Sequence, residues 1–269
     1  MNANIFKHEF RGKLRSALTW VGAIAALILF FFAIFPVFAD QAALMNEFLA
    51  RYPAQLRSAL GLGNLDLATV LGFYSFLFLF VQLCLAVQAA NYGVGLVSVE
   101  ETDLTADFLL SKPVSRTEVM TSKFLAALAN MLITDVVIVI VTFIAIALFS
   151  EGRPYQVGAL LLLFGGMVLF QLFFLCVGLL ISLLVPRVRS VTPYALGLAF
   201  GMYVLSAFNG IFGDVVLELL TPFKHLDAAY IIHNQAFNTP LVLLNVGVTL
   251  IALAASYWLY RRRDNRAVS

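Results

Sequence analysis

The run FLAALANMLITDVVIVIVTFIAIALF, Phe124 to Phe149, decides the fold. It is apolar for longer than the ~20 residues a helix needs to cross a bilayer, and it carries one ionisable residue, Asp135. A lipid-facing strand would alternate in polarity within a closed barrel, whereas a helix satisfies every backbone group within its own segment. Five more runs read the same way, at 17–38, 67–90, 157–185, 191–212 and 240–260. With 62% hydrophobic and 12% charged residues and a mean hydropathy of +0.94, they predict an all-α polytopic membrane protein of six transmembrane helices. No repeat, low-complexity linker or soluble domain interrupts the pattern, so residues 1–269 read as one membrane domain.

The first run ends at Pro36-Val37-Phe38 without a small-residue cleavage pattern and reads as a retained span, not a secretory signal. Cys84 and Cys176 both lie inside apolar runs, which suits packing thiols better than a disulfide.

Placing the amino terminus in the cytoplasm puts Lys7, Arg11, Lys13, Arg15, Lys112, Arg116, Lys123, Arg187, Arg189 and the Arg261–Arg266 cluster inside, thirteen of the 17 basic residues. Arg51, Arg57, Arg153 and Lys224 are left outside. This lysine and arginine bias predicts that both termini are cytoplasmic. Before the first span, Phe6, Phe10, Leu14 and Leu18 recur every four residues beside His8, Arg11 and Arg15. That pattern predicts an amphipathic helix lying in the membrane interface before it turns into the span; a solvated basic flank is the alternative.

The outside loop 39–66 contains Pro53, Gly61 and Gly63, with room for a short helix near Asn46 to Arg51. The second long outside segment, 213–239, is expected to form short helices broken at Pro222 and resting on the outer membrane surface.

A polar island, DFLLSKPVSRTEVMTSKF (Asp107 to Phe124), separates the second and third spans. Asp103 to Ser111 suits a short helix that Pro113 terminates. Ser115-Arg116-Thr117-Glu118 then spells a capping box opening the third span. Leu104, Phe108, Leu109 and Leu110 offer more apolar surface than a solvated loop needs, which leaves two readings, a well-made loop or a docking surface.

The run EETDLTADFLLSKPVSRTEVMTSKFLA resembles the cytoplasmic segment of ABC-transporter permeases of the type-2 exporter class, whose pattern has a glutamate, a leucine-rich patch, Pro-Val-Ser-Arg and a lysine opening the next span. NIFKHEFRGKLRSALTW, with Glu9, is similar to that class's basic leader. TPFKHLDAAYII is similar to its last outside loop, and SYWLYRRRD to its closing span and tail. One departure is Asp103-Leu104-Thr105, where many members have glycine before the threonine. The resemblance implies a six-span subunit that pairs with a second permease subunit, the same or different, among the lipids of a prokaryotic plasma (inner) membrane. It also implies a short cytoplasmic helix docked in a separate ABC ATPase, with Glu100, Glu101, Leu104, Phe108, Leu109, Pro113 and Arg116 as the coupling residues. ATP and Mg would sit on that partner, with no cofactor or nucleic acid on this chain. The only Gly-Lys pair, Gly12-Lys13, is followed by leucine, so the chain has no phosphate-binding loop of its own.

Three other features stand out. Asp135 lies near the middle of its span, where an ionisable residue marks a pathway or a structural hydrogen bond to a neighbouring span; with Gln82 and Gln171 it is a candidate for the translocation pathway, and Asn209 and Asn245 are other possible partners. Gly197 and Gly201 form a G-x-x-x-G pair suited to a subunit interface or to packing within the chain. His225, Asp227 and His233 fit no metal-ligand spacing. A membrane enzyme would need H-E-x-x-H, G-x-S-x-G or paired intramembrane aspartates, and the sequence has none. A non-transporting sensor or anchor of an ABC-type complex remains the alternative to a permease.

Overall fold

The computed structural model describes residues 2–41, 44, 47–48, 51–53, 55, 57, 66–102, 114–186 and 188–262, with backbone alone at 99–102. All regular structure among them is helical. The elements are α1 (Ala3–Asp40), α2 (Val70–Thr102), α3 (Arg116–Phe149), α4 (Val157–Leu184), α5 (Val191–Phe212), α6 (Val215–Leu220), α7 (Pro222–His225), α8 (Ala228–Asn234) and α9 (Thr239–Arg262). Helices α1 to α5 and α9 are long and apolar enough to cross a membrane. The end of the bundle that holds Lys7, Arg116, Arg189 and Arg261 is called its basic end below.

The interfacial leader helix is corrected. Residues 3–40 form one uninterrupted helix with no turn ahead of the apolar run, and Pro36 lies inside it. Its leader packs on protein: the Asn2 amide donates to Ser122 Oγ at 2.8 Å, and Asn130 Nδ2 donates to the Phe10 carbonyl at 3.2 Å. Both contacts share one register offset, so α1 and α3 run parallel and side by side. The apolar face that the sequence offers to lipid is thus partly taken up by α3, and the helix runs straight from the leader into the apolar run.

The principal packing pairs are α1 with α3 and α2 with α4; α9 also lies against α4, and α5 against α2. Away from the basic end the core is aromatic. Phe32 and Phe35 meet Phe73 at 6.1 and 5.2 Å between ring centroids, and Tyr74 is hydrogen-bonded to Thr142 at 3.3 Å. Arg153, in the turn between α3 and α4, donates to Asp40 at 2.7 Å and covers the Phe35 ring at 5.5 Å, tying that turn to the end of α1. Both cysteines are free thiols.

Between α2 and α4 the backbones touch. A Cβ built on Gly93 would lie 2.2 Å from the Leu175 carbonyl oxygen, and one on Gly178 would lie 3.0 Å from that of Ala90. The span read as 67–90 continues as helix through Gly93 to Thr102.

The second outside segment is corrected as well. Its helices do break at Pro222, with α6 on one side and α7 on the other. They do not all rest on a surface: α6 buries no residue, but Thr221, Phe223, His225 and Leu226 after it are buried in the bundle. Phe223 packs against Phe170, Phe174 and Tyr203, at 5.0, 6.0 and 5.8 Å. Phe170 and Phe174 lie roughly 20–25 Å along α4 from its start, so the segment re-enters the bundle to about mid-depth. Irregular backbone at that depth is tolerated only when protein supplies its hydrogen bonds. Gln82 Nε2 donates to the Leu226 carbonyl at 3.1 Å, Thr221 Oγ1 donates to that of Met202 at 2.8 Å, and His225 Nε2 lies 3.0 Å from that of Leu219.

Candidate functional site

Two candidate sites emerge, one at the basic end and one in the polar interior. The first sits where α2 stops and α3 starts. Leu104, Phe108, Leu109 and Pro113 lie outside the described residues, as do the side chains of Glu100 and Glu101; Arg116 is the first residue of α3. What positions that segment is described. Ser115 Oγ accepts from the Glu118 amide at 3.2 Å, and Glu118 Oε2 accepts from the Ser115 amide at 3.2 Å. The capping box read from the sequence is formed, and it fixes where α3 begins.

One turn and a half further on, Lys123 is only 3% exposed. Its ammonium donates to the Leu96 carbonyl of α2 at 3.0 Å and lies 3.7 Å from Glu9 of α1. Glu9 is paired with Lys13 as well. Three helices are therefore tied together at one level by a single buried cation. Counted by sequence as a loop charge, Lys123 gave no sign of this burial.

The polar interior holds Asp135, 6% exposed. Gln171 Nε2 of α4 donates to its Oδ1, so of the partners considered from sequence the structure selects Gln171. Gln82 belongs to a different place, bound to the re-entrant Leu226. Missed from sequence was Gln88 of α2, whose Nε2 donates to Thr134 Oγ1 on α3 at 2.8 Å. Gln88 Oε1, Tyr92 Oη, Asn130 Oδ1 and Gln171 Oε1 are buried without a hydrogen-bond partner among the described residues. The rule that singles out Asp135 applies equally to Gln88 and Asn130, so this signal was present. We expect Gln171→Leu to destabilise the protein by about 1–3 kcal/mol, since it strips a buried carboxyl of its donor, and Asp135→Asn to cost less, because an amide can still pair with Gln171. Thermal denaturation of the two purified variants in one detergent checks the order.

Gln82 also lines a cavity of about 40 Å³ with Ser75, Tyr203, Ser206, Lys224 and Asp227. Lys224 and Asp227 pair at 3.1 Å, and Asp227 caps α8 by accepting from the Ala229 and Tyr230 amides. His225 approaches Asn245 at 3.5 Å; His225 and Asp227 are thus engaged by the protein itself.

Gly197 and Gly201 have nothing within 4 Å of a built Cβ. Among the described residues, none packs against that pair. Helix α5 buries only Ala195 and Ala199 and leaves Leu196, Phe200, Val204 and Phe208 exposed.

Compared with protein families, residues 3–265 match the ABC-2 family transporter protein. No individually curated protein matches the chain. The chain belongs to the ABC-2 transporter family and is a multi-pass membrane permease, of a kind that lacks an ATPase domain and for which a partner ATPase is implied.

Proposed function

We propose that this chain is the permease subunit of an ATP-driven ABC exporter, a single membrane domain driven by a separate ATPase through the cytoplasmic segment 100–118. The observation that carries the reading is the geometry around that segment. It lies between the end of α2 and a capped α3, and these two helices, with α1, contain 33, 34 and 38 residues. At about 1.5 Å per residue they run to roughly 50 Å or more, well beyond the ~30 Å hydrocarbon core. The excess forms stalks that carry the segment clear of the membrane, in reach of a soluble partner. Leu104, Phe108, Leu109 and the Pro113 turn are its docking surface, flanked by Glu100, Glu101 and Arg116. The positive charges support a cytoplasmic location for this end, on the inner face of a prokaryotic inner membrane.

The naked face of α5, with Gly197 and Gly201 at its centre, is the surface for a second permease subunit, because two small residues one turn apart let helix backbones approach closely. The Gln82 cavity forms the outer mouth of the pathway, and the Asp135–Gln171 pair its interior polar element.

Affinity purification from native membranes in mild detergent, with mass spectrometry of what accompanies the chain, tests the reading. A nucleotide-binding ATPase is expected with the wild type and at least tenfold less of it when Leu104, Phe108 and Leu109 are changed to Ser. Absence of any ATPase, under conditions that preserve a control ABC complex, overturns it.

A further inference from the structure

The coupling segment hangs on two stalks, and the structure shows what joins them. Leu96 lies six residues before the end of α2, and Lys123 lies seven residues after the start of α3. Both residues therefore lie on the helices that lead into and out of the segment. The Lys123 ammonium crosses between them at 3.0 Å from the Leu96 carbonyl, and the same ammonium reaches Glu9 on α1. A push on a segment held by two unbraced helices would spread them. A cross-link between them instead turns the push into movement of both stalks together, with α1 attached.

We propose that Lys123 is the positioning residue that makes the stalks of the coupling segment, and the leader of α1 with them, move as one body when the ATPase closes. The proposal rests on the permease reading above and adds the residue through which force leaves the segment. Its burial suits the role: a cation at this depth stays in one place because it is paired and hydrogen-bonded. Its removal is also tolerable. Lys123→Met leaves Glu9 paired with Lys13, and the methionine fills most of the lysine's volume.

The test uses the complete complex with its ATPase. Cys84 and Cys176 are replaced by Ala, and nitroxides are placed at Val37 on α1 and Leu243 on α9, both exposed. The distance between them is measured by pulsed electron paramagnetic resonance before and after trapping with ATP and vanadate. The wild type is expected to show a shift in this distance. Lys123→Met is expected to retain the ATPase, to hydrolyse ATP with KM within twofold of wild type, and to lose the shift. Lys123→Arg, which keeps a charged donor, restores it. A merely structural role would lower assembly and leave the shift intact in the complexes that form. A wild-type shift in an assembled Lys123→Met complex overturns the proposal. If that variant does not assemble, Lys123→Leu, which also removes the donor to Leu96, takes its place, and a wild-type shift there overturns it equally. Failure of any ATPase to accompany the wild type overturns the permease reading, and the inference falls with it.

Discussion

Gly93→Ala is expected to destabilise the bundle by about 3 kcal/mol, the upper part of the range for overpacking a tight interior. The added methyl would sit 2.2 Å from the Leu175 carbonyl oxygen and 3.0 Å from the Leu179 amide nitrogen. Both obstacles are backbone, so no side chain can rotate away; α2 and α4 must separate. This is the most extensive helix pair in the molecule, and it carries the core around Phe170, Phe174 and Leu179. Gly178→Ala meets the same interface from the other side, where the nearest atom is the Ala90 carbonyl oxygen at 3.0 Å. A shift of a few tenths of an ångström relieves that contact, so about 1 kcal/mol is expected. Gly165→Ala and Gly247→Ala face open space and serve as controls, expected within about 0.5 kcal/mol of wild type. Thermal denaturation of the four variants, followed by size-exclusion chromatography in detergent, gives the ranking. If Gly93→Ala melts with the controls, the α2–α4 approach is looser than the structure has it.

What could be read from sequence follows a physical division. The six spans are visible because hydrocarbon demands length and apolarity from each segment separately. The Ser115–Glu118 capping box is visible because its partners are three residues apart. The features that escaped all depend on which distant segment lies opposite. The leader of α1 is amphipathic by pattern, but a period cannot say whether its apolar face meets lipid or α3. Gly93 and Gly178 carry no signal until α2 is known to lie on α4. Lys123 counts as one more inside charge until Leu96 and Glu9 are seen around it. For the interior site, Asp135 was evident as an anomaly within its own run, and only the fold could choose Gln171 over Gln82 as its partner.

Phe223→Ala is expected to release the re-entrant segment. The ring fills a socket formed by Phe170, Phe174 and Tyr203, and emptying such a site costs about 3 kcal/mol. The penalty falls on a short element and not on the whole bundle, because α6, α7 and α8 have 6, 4 and 7 residues and little intrinsic stability. Local opening therefore responds more than global unfolding does. Thr221 reports it: the residue is fully buried, and cysteine is close to isosteric with threonine's hydroxyl arm. In a background with Cys84 and Cys176 replaced by Ala, Thr221→Cys is expected to react slowly with a membrane-impermeant maleimide applied to intact cells. Adding Phe223→Ala should raise that rate about a hundredfold, the factor that about 3 kcal/mol confers on the population of the open form. Equal rates in the two backgrounds would mean that Phe223 does not hold the segment in the bundle. Labelling confined to permeabilised cells would place this end of the bundle in the cytoplasm and reverse the orientation that the positive charges imply. Because the segment lines the Gln82 cavity through Phe223, Lys224 and Asp227, its release also opens the proposed outer mouth of the pathway. The same variant thus ties the stability of a few buried rings to the access that the proposed exporter must control.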